Sequence, residues 1–256
     1  MLSLSGRLRR RVAFAIWPPA AVTIDDARAT TLAAATFAAD GLITAHNSDF
    51  LEDPRFQAAY RLGESTGSWF GLDVRWRAYV VCWAAMRGLG LAGDFVECGV
   101  NRGGNGRMIA EYVDLGARPD KVLHLIDTFA GIPEEFLDDR LRGLSDSLYE
   151  DCYEDVVRTF SPFANANVVR GNIPDVLQDV APQRVCFLSI DLNCVEPSIA
   201  AAEHFWPRMS SGAVMVLDDY GWAFFADQKD AFDTFAASVG LQVLSLPTGQ
   251  GLLIKP

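Results

Sequence analysis

Cysteine and histidine are scarce in this chain of 256 residues, which has five of the first and three of the second, with no C-x-x-C pair. That scarcity argues against a disulfide framework and a zinc ribbon and is simplest for reduced thiols in a cytoplasmic protein. Positive charge is also short. The 22 Lys and Arg face 33 Asp and Glu, and the net charge of -11 makes nucleic acid a poor partner. No apolar run approaches the roughly 20 residues of a membrane span. Residues 12–22, behind Arg7, Arg9, Arg10 and Arg11, resemble a signal peptide, but Pro18 and Pro19 break the stretch and no clean cleavage site follows. A basic N-terminal arm is therefore expected. The run 78–86, flanked by Arg75, Arg77 and Arg87, reads as a buried helix.

What the chain does have is core-forming material: 50% of it is apolar and 21% charged, enough for a folded domain with an appendage and too apolar for disorder. The pattern changes near residue 90. Residues 1–90 form an expected helical cap or lid, with an Ala-rich helix over 25–38, a polar loop carrying His46, Asn47 and Asp49, and a helix over 72–87 that stops at Gly88. Trp17, Trp69, Trp76 and Trp83 give this section a surface for its own core or for a second subunit, so a homo-oligomer is left open.

Residues 91–256 read as one α/β domain. Seven short apolar runs, at 95–100, 121–127, 167–170, 185–191, 213–219, 242–246 and 251–255, predict strands. Spacers between the first five suit crossover helices, and continuous apolar strands suit a parallel sheet covered on both faces. Only Pro247, Thr248, Gly249 and Gln250 separate the last two runs, so the final strand must return antiparallel through a hairpin.

Ligands of open α/β sheets collect beyond the carboxyl ends of the strands. Glu97, Asp127, Asp191 and the pair Asp218-Asp219 stand at or near such ends. The first strand runs into the glycine-rich turn 97–106, whose spacing (Gly99, then Gly103-Gly104) is wrong for the G-x-G-x-x-G of a nicotinamide dinucleotide. Glu97 would repel a pyrophosphate and suits the ammonium of an amino acid. Asp127 is placed to accept two ribose hydroxyls, with a turn or helix cap as the plainer role of Asp127-Thr128. Asp191, Asp218 and Asp219 crowd like charges together, which calls for a hard divalent ion such as Mg²⁺ or Ca²⁺; solvated or capping acids are the alternative. Arg102 is read equally as a ligand contact or a surface charge, and His46 and His204 as remote candidates for a base. The acidic segment 134–155 is either a lid or a solvated amphipathic helix.

Phe95-Val96-Glu97-Cys98-Gly99-Val100-x-x-Gly103-Gly104, Asp127-Thr128-Phe129-x-Gly131-Ile132-Pro133, Val169-x-Gly171, Asp191 with Glu196, and Asp218-Asp219-Tyr220-Gly221 together resemble the macrocin/mycinamicin type of S-adenosylmethionine-dependent O-methyltransferases. The resemblance runs over roughly residues 75 to 235. It implies a class I methyltransferase fold with a mostly parallel seven-stranded sheet and an antiparallel C-terminal hairpin strand. Implied donor contacts are Glu97, Gly99, Asn101, Arg102, Gly103, Asp127, Thr128, Gly171, Asn172 and Asp191. A Mg²⁺ site at Asp191, Asp218 and Asp219 is implied as the catalytic centre, with a sugar or other small-molecule hydroxyl as acceptor. The chain departs from the family at Asn193, where a second acid is common. Rival readings are a nicotinamide-dependent oxidoreductase and a non-catalytic donor-binding subunit of the same fold.

Overall fold

The computed structural model describes residues 33–256. The basic arm, Trp17 and most of the helix expected over 25–38 lie outside them. The described end of that expectation is corrected: Phe37–Ala39 is a strand, β1, paired antiparallel with β2 (Leu42–Thr44) through a turn at Asp40 and Gly41. Alanine is a strong helix former, but intrinsic propensity is a weak determinant, and the tight turn followed by Leu42-Ile43-Thr44 outweighs it.

Helix α1 (Pro54–Ser65) starts where Asp53 accepts the Arg55 and Phe56 amides and Pro54 presets the first turn. Helix α2 (Arg75–Leu89) passes through Gly88, the expected stop, and ends at Gly90. Gly88 is helical because the helix packs there onto Cys186: a Cβ would meet the Cys186 carbonyl oxygen at 2.8 Å.

The sheet then builds as β3 (Asp94–Cys98), α3 (Gly104–Tyr112), β4 (Leu123–Asp127), α4 (Asp139–Leu148), α5 (Tyr153–Phe160), β5 (Ala166–Arg170), β6 (Val185–Ile190), α6 (Val195–Phe205), β7 (Met209–Leu217), α7 (Ala226–Ser238), β8 (Leu244–Ser245) and β9 (Gly251–Ile254). Strand order is β5-β4-β3-β6-β7-β9-β8. All neighbours are parallel except those of β9, which slots antiparallel between β7 and β8. The expected strand over 242–246 shrinks to two residues, because the edge position leaves Leu244 and Ser245 exposed. The strand expected over 213–219 starts earlier, at Met209, and stops before its two acids.

Side chains alternate across the sheet. Phe95, Leu125, Phe187 and Val216 join α1, α2, α3 and α5 on one face; Val96, Ile126, Leu188 and Leu217 join α6 and α7 on the other. Residues before and after position 90 thus share one apolar cluster, since Phe56, Tyr60 and Val81 pack with Met108 and Phe187. No helix among the described residues is long and apolar enough to cross a membrane. The chain runs outward from β3 to β5 and then returns to place β6 on the other side of β3, so the topological switch falls between β3 and β6.

Candidate active site

A cavity of about 840 Å³ opens at this switch, on the carboxyl ends of the strands. Of the donor contacts expected from the sequence, Glu97, Gly99, Asn101, Asp127, Thr128, Gly171, Asn172 and Asp191 line it. Arg102 and Gly103 do not. Arg102 turns to Glu150 and lies 3.9 Å from Asp155, tying the glycine turn to the start of α5. Gly103 takes φ +87 before α3, and a Cβ there would meet Phe160 at 2.8 Å, so its role is to let the helix start against α5.

The turn is built from two sides. Asp127, closing β4, accepts the Val100 and Asn101 amides on one carboxylate oxygen (2.6 and 2.8 Å) and the Phe129 amide on the other (2.6 Å). Its first task is therefore to clamp backbone, beside the ribose contact expected of it. From the front section, Ser68 Oγ accepts the Gly104 amide at 2.9 Å and caps α3, a helix whose own N-cap glycine has no side chain to do so. Thr128 Oγ donates to the Gly131 carbonyl at 2.6 Å and shapes the next turn. Asn172 Nδ2 donates to Glu135 at 2.5 Å.

Glu97 lines the cavity, 1% exposed, and among the described residues its Oε2 has no hydrogen-bond partner. Burial, and then the charges of Asp127 and Asp218, hold its carboxyl well above the usual carboxylate range.

At the ends of β6 and β7, Asp191, Asp218 and Asp219 each offer a carboxylate oxygen, all within 4.8 Å of one another. Burial and the two neighbouring acids raise Asp191 well above the ordinary value. Burial and Asp218 push Asp219 up to about 7, against the lowering effects of Arg77, Gln228 and the Asn193 amide. Asn193 adopts φ +60 and directs Nδ2 to the Tyr149 hydroxyl at 3.3 Å, so it supports Asp219 through its backbone.

Several residues of this centre were not singled out from the sequence. Arg77, read as a flank of an apolar run, donates from Nη1 to Asp218 at 2.8 Å and from Nε to Asp40 at 2.7 Å. Gln250, read as part of a hairpin connector, donates to the other oxygen of Asp218 at 3.1 Å. Gln228 donates to Asp219 at 3.3 Å. Tyr149, noted only within the acidic segment, lines the cavity; burial and then Asp191 push its phenol well up. That segment is amphipathic, burying Leu141, Leu144 and Leu148 of α4 against Phe225 and Cys194 at the mouth of the cavity. His46 and His204 are outside the lining; His204 faces the Val180 carbonyl instead.

This fold is that of class I O-methyltransferases. The O-methyltransferase NovP superposes with a TM-score of 0.59 at 22% identity, covering 70% of this chain and 79% of its own. The calicheamicin methyltransferase CalS11 gives 0.55 at 18% identity, covering 82% of this chain and 94% of its own. Residues 18–243 match the family model described as macrocin O-methyltransferase (TylF), and the chain belongs to that family. A relative from Streptomyces olivaceus, 8-demethyl-8-(2,3-dimethoxy-alpha-L-rhamnosyl)-tetracenomycin-C 4'-O-methyltransferase, is 26% identical over 141 residues, 51% of this chain and 54% of the relative. The alignment thus spans about half the length of that relative.

Proposed function

We propose that this chain transfers a methyl group from S-adenosylmethionine to a sugar hydroxyl of a glycosylated metabolite, assisted by a divalent cation. The observation that carries the reading is one cavity holding both the glycine turn with Glu97 and Asp127 and the acids Asp191, Asp218 and Asp219.

The residues fit both absent groups. Glu97, buried with an Oε2 that makes no hydrogen bond among the described residues and with only the Gly106 amide near enough to favour its charge, is matched by the ammonium of the methionine moiety. Three oxygen donors within 4.8 Å, with Asp191 and Asp219 shifted upward by burial and then by neighbouring acids, match a hard cation such as Mg²⁺. No histidine or thiolate joins the set to favour zinc.

When bound, the nucleoside supplies the methyl group and the cation supplies Lewis-acid activation of the hydroxyl. The chain's own residues do the rest. The turn clamped by Asp127 and Ser68 orients the donor, and this positioning accounts for much of the rate gain in a transfer that needs in-line approach. Asp191, which lines the cavity beside the other two acids, would take the hydroxyl proton. Phe70, Ile132, Phe136, Leu144, Leu148 and Phe225 in the cavity lining exclude water and suit an acceptor with an apolar body.

The test is methyl transfer from labelled S-adenosylmethionine to a panel of rhamnosylated metabolites, the rhamnosyl-tetracenomycin C in the name of the Streptomyces relative among them. Turnover that stops with a chelator and in Asp218→Ala is expected. Failure to bind S-adenosylhomocysteine at all would remove the foundation of this reading.

A further inference from the structure

The hairpin β1–β2 forms one wall of the cavity through residues 38–43, yet it shares no strand pairing with the main sheet. Among the described residues, one side chain hydrogen-bonds to both the hairpin and the acid cluster. Arg77 grips Asp40, in the hairpin turn, with Nε and Nη2 (2.7 and 3.2 Å) and grips Asp218 with Nη1 (2.8 Å). The guanidinium lies over the Trp222 ring, 4.9 Å from its centroid, and Gln250 Nε2 approaches the Arg77 carbonyl at 3.5 Å while holding the second oxygen of Asp218. The side chains of Arg77, Asp40 and Asp218 are 15%, 7% and 10% exposed, so water screens these ion pairs little.

We infer that Arg77 is a positioning residue that couples the hairpin wall of the cavity to the acid cluster, so that a change at either carboxylate is felt at the other. Its planar fork suits this role, because it presents separate N–H groups to two carboxylates at once. The sign of the coupling follows from charge. With Asp40 neutralised, Arg77 keeps one carboxylate partner, its charge acts more fully on Asp218, and a divalent cation at the cluster is held less tightly. With Asp218 neutralised, Arg77 loses one of its two anchors and the hairpin loosens. Both effects are expected because each substitution removes one of the two carboxylate partners of the same guanidinium.

Two measurements test this, using the full chain. Hydrogen exchange over residues 37–44 is compared in wild type and Asp218→Asn; titration calorimetry with Mg²⁺ alone is compared in wild type and Asp40→Asn. Only the second rests on the cation site proposed above. Expected are faster hairpin exchange in Asp218→Asn and Mg²⁺ affinity weaker by about five- to tenfold in Asp40→Asn. In an Arg77→Gln background both distant effects disappear, whereas direct repulsion or attraction between Asp40 and the cation would persist. Binding of S-adenosylhomocysteine checks that each variant is folded. Hairpin exchange unchanged by Asp218→Asn overturns the coupling, as does an Asp40→Asn effect of the same size with and without Arg77. A wild-type protein that binds no Mg²⁺ counts against the metal reading, and the exchange comparison then decides the coupling by itself.

Discussion

Gly99 and Asp191 meet backbone to backbone: a Cβ on Gly99 would lie 1.8 Å from the Asp191 carbonyl oxygen, and Gly99 itself adopts φ +88. The glycine turn after β3 is thus pressed against the end of β6, which brings the donor-side loop and the first acid of the cluster into one small volume. Gly99→Ala combines a left-handed strain with a backbone collision and is expected to lower stability by at least about 3 kcal/mol. Gly116 is the control. It has open space around its Cα and lies outside the left-handed region, so Gly116→Ala is expected to stabilise by about 0.4–1 kcal/mol. Urea unfolding of the two variants checks the contrast; equal midpoints would refute it.

Glu97 predicts an exchange of stability for affinity. The glutamine of the same shape removes a buried carboxylate whose ionisation burial opposes, so Glu97→Gln raises the melting temperature of the free protein. On the proposed donor site the same change removes the partner of the donor ammonium, so weaker S-adenosylhomocysteine binding is expected. Calorimetry and thermal unfolding on one preparation read both. A variant that melts lower and binds equally well would contradict both halves.

Asp127→Asn probes the clamp on the turn. An asparagine keeps one acceptor oxygen and turns an NH₂ group toward amides that now donate to a carboxylate, leaving at least one of the Val100, Asn101 and Phe129 amides without its acceptor. The expected cost is about 1–3 kcal/mol for each orphaned amide, together with weaker nucleoside binding. Exchange of those three amides is the direct readout. Unaltered protection there would show that the carboxylate is not what holds the turn.

The acid cluster sets a pH dependence whose sign is opposite to that of an ordinary salt-bridged carboxylate. Burial and then Asp218 push Asp219 up to about 7 in the folded protein against an ordinary 3.8, and burial and then its neighbouring acids raise Asp191 well above its ordinary value. The folded state therefore binds more protons than the unfolded one between those values, and without a cation the contribution of these groups to stability is fully present below about pH 3.8 and is lost as pH rises through 7. A divalent ion compensates the ionised acids, so the rise in melting temperature on adding Mg²⁺ is expected to be larger at pH 8 than at pH 5. The Asp218→Ala variant should show little of that difference. An equal Mg²⁺ effect at both pH values would speak against a cation on these acids.

Much of this was readable in one dimension because its causes are local. A strand buried on both faces must be a short apolar run, so 95–100 and 185–191 announced β3 and β6, and a connector of four residues allowed β9 only an antiparallel return. The acids were legible too, since Asp127, Asp191 and Asp218 stand where strands end and ligands collect. What only the tertiary structure decided are the relations between residues far apart in the chain. Asp40 and Arg77 are 37 residues apart, and Arg77 and Asp218 are 141, with no local pattern linking them. Arg77 reads from its neighbours as one more basic flank, and Gln250 as one more turn residue. The direction of a long side chain depends on which elements pack around it, so the ion pairs that tie the hairpin to the acids, and the Cβ-sized gap that Gly99 leaves for Asp191, exist only once α2, β6, β7 and the hairpin have been brought together.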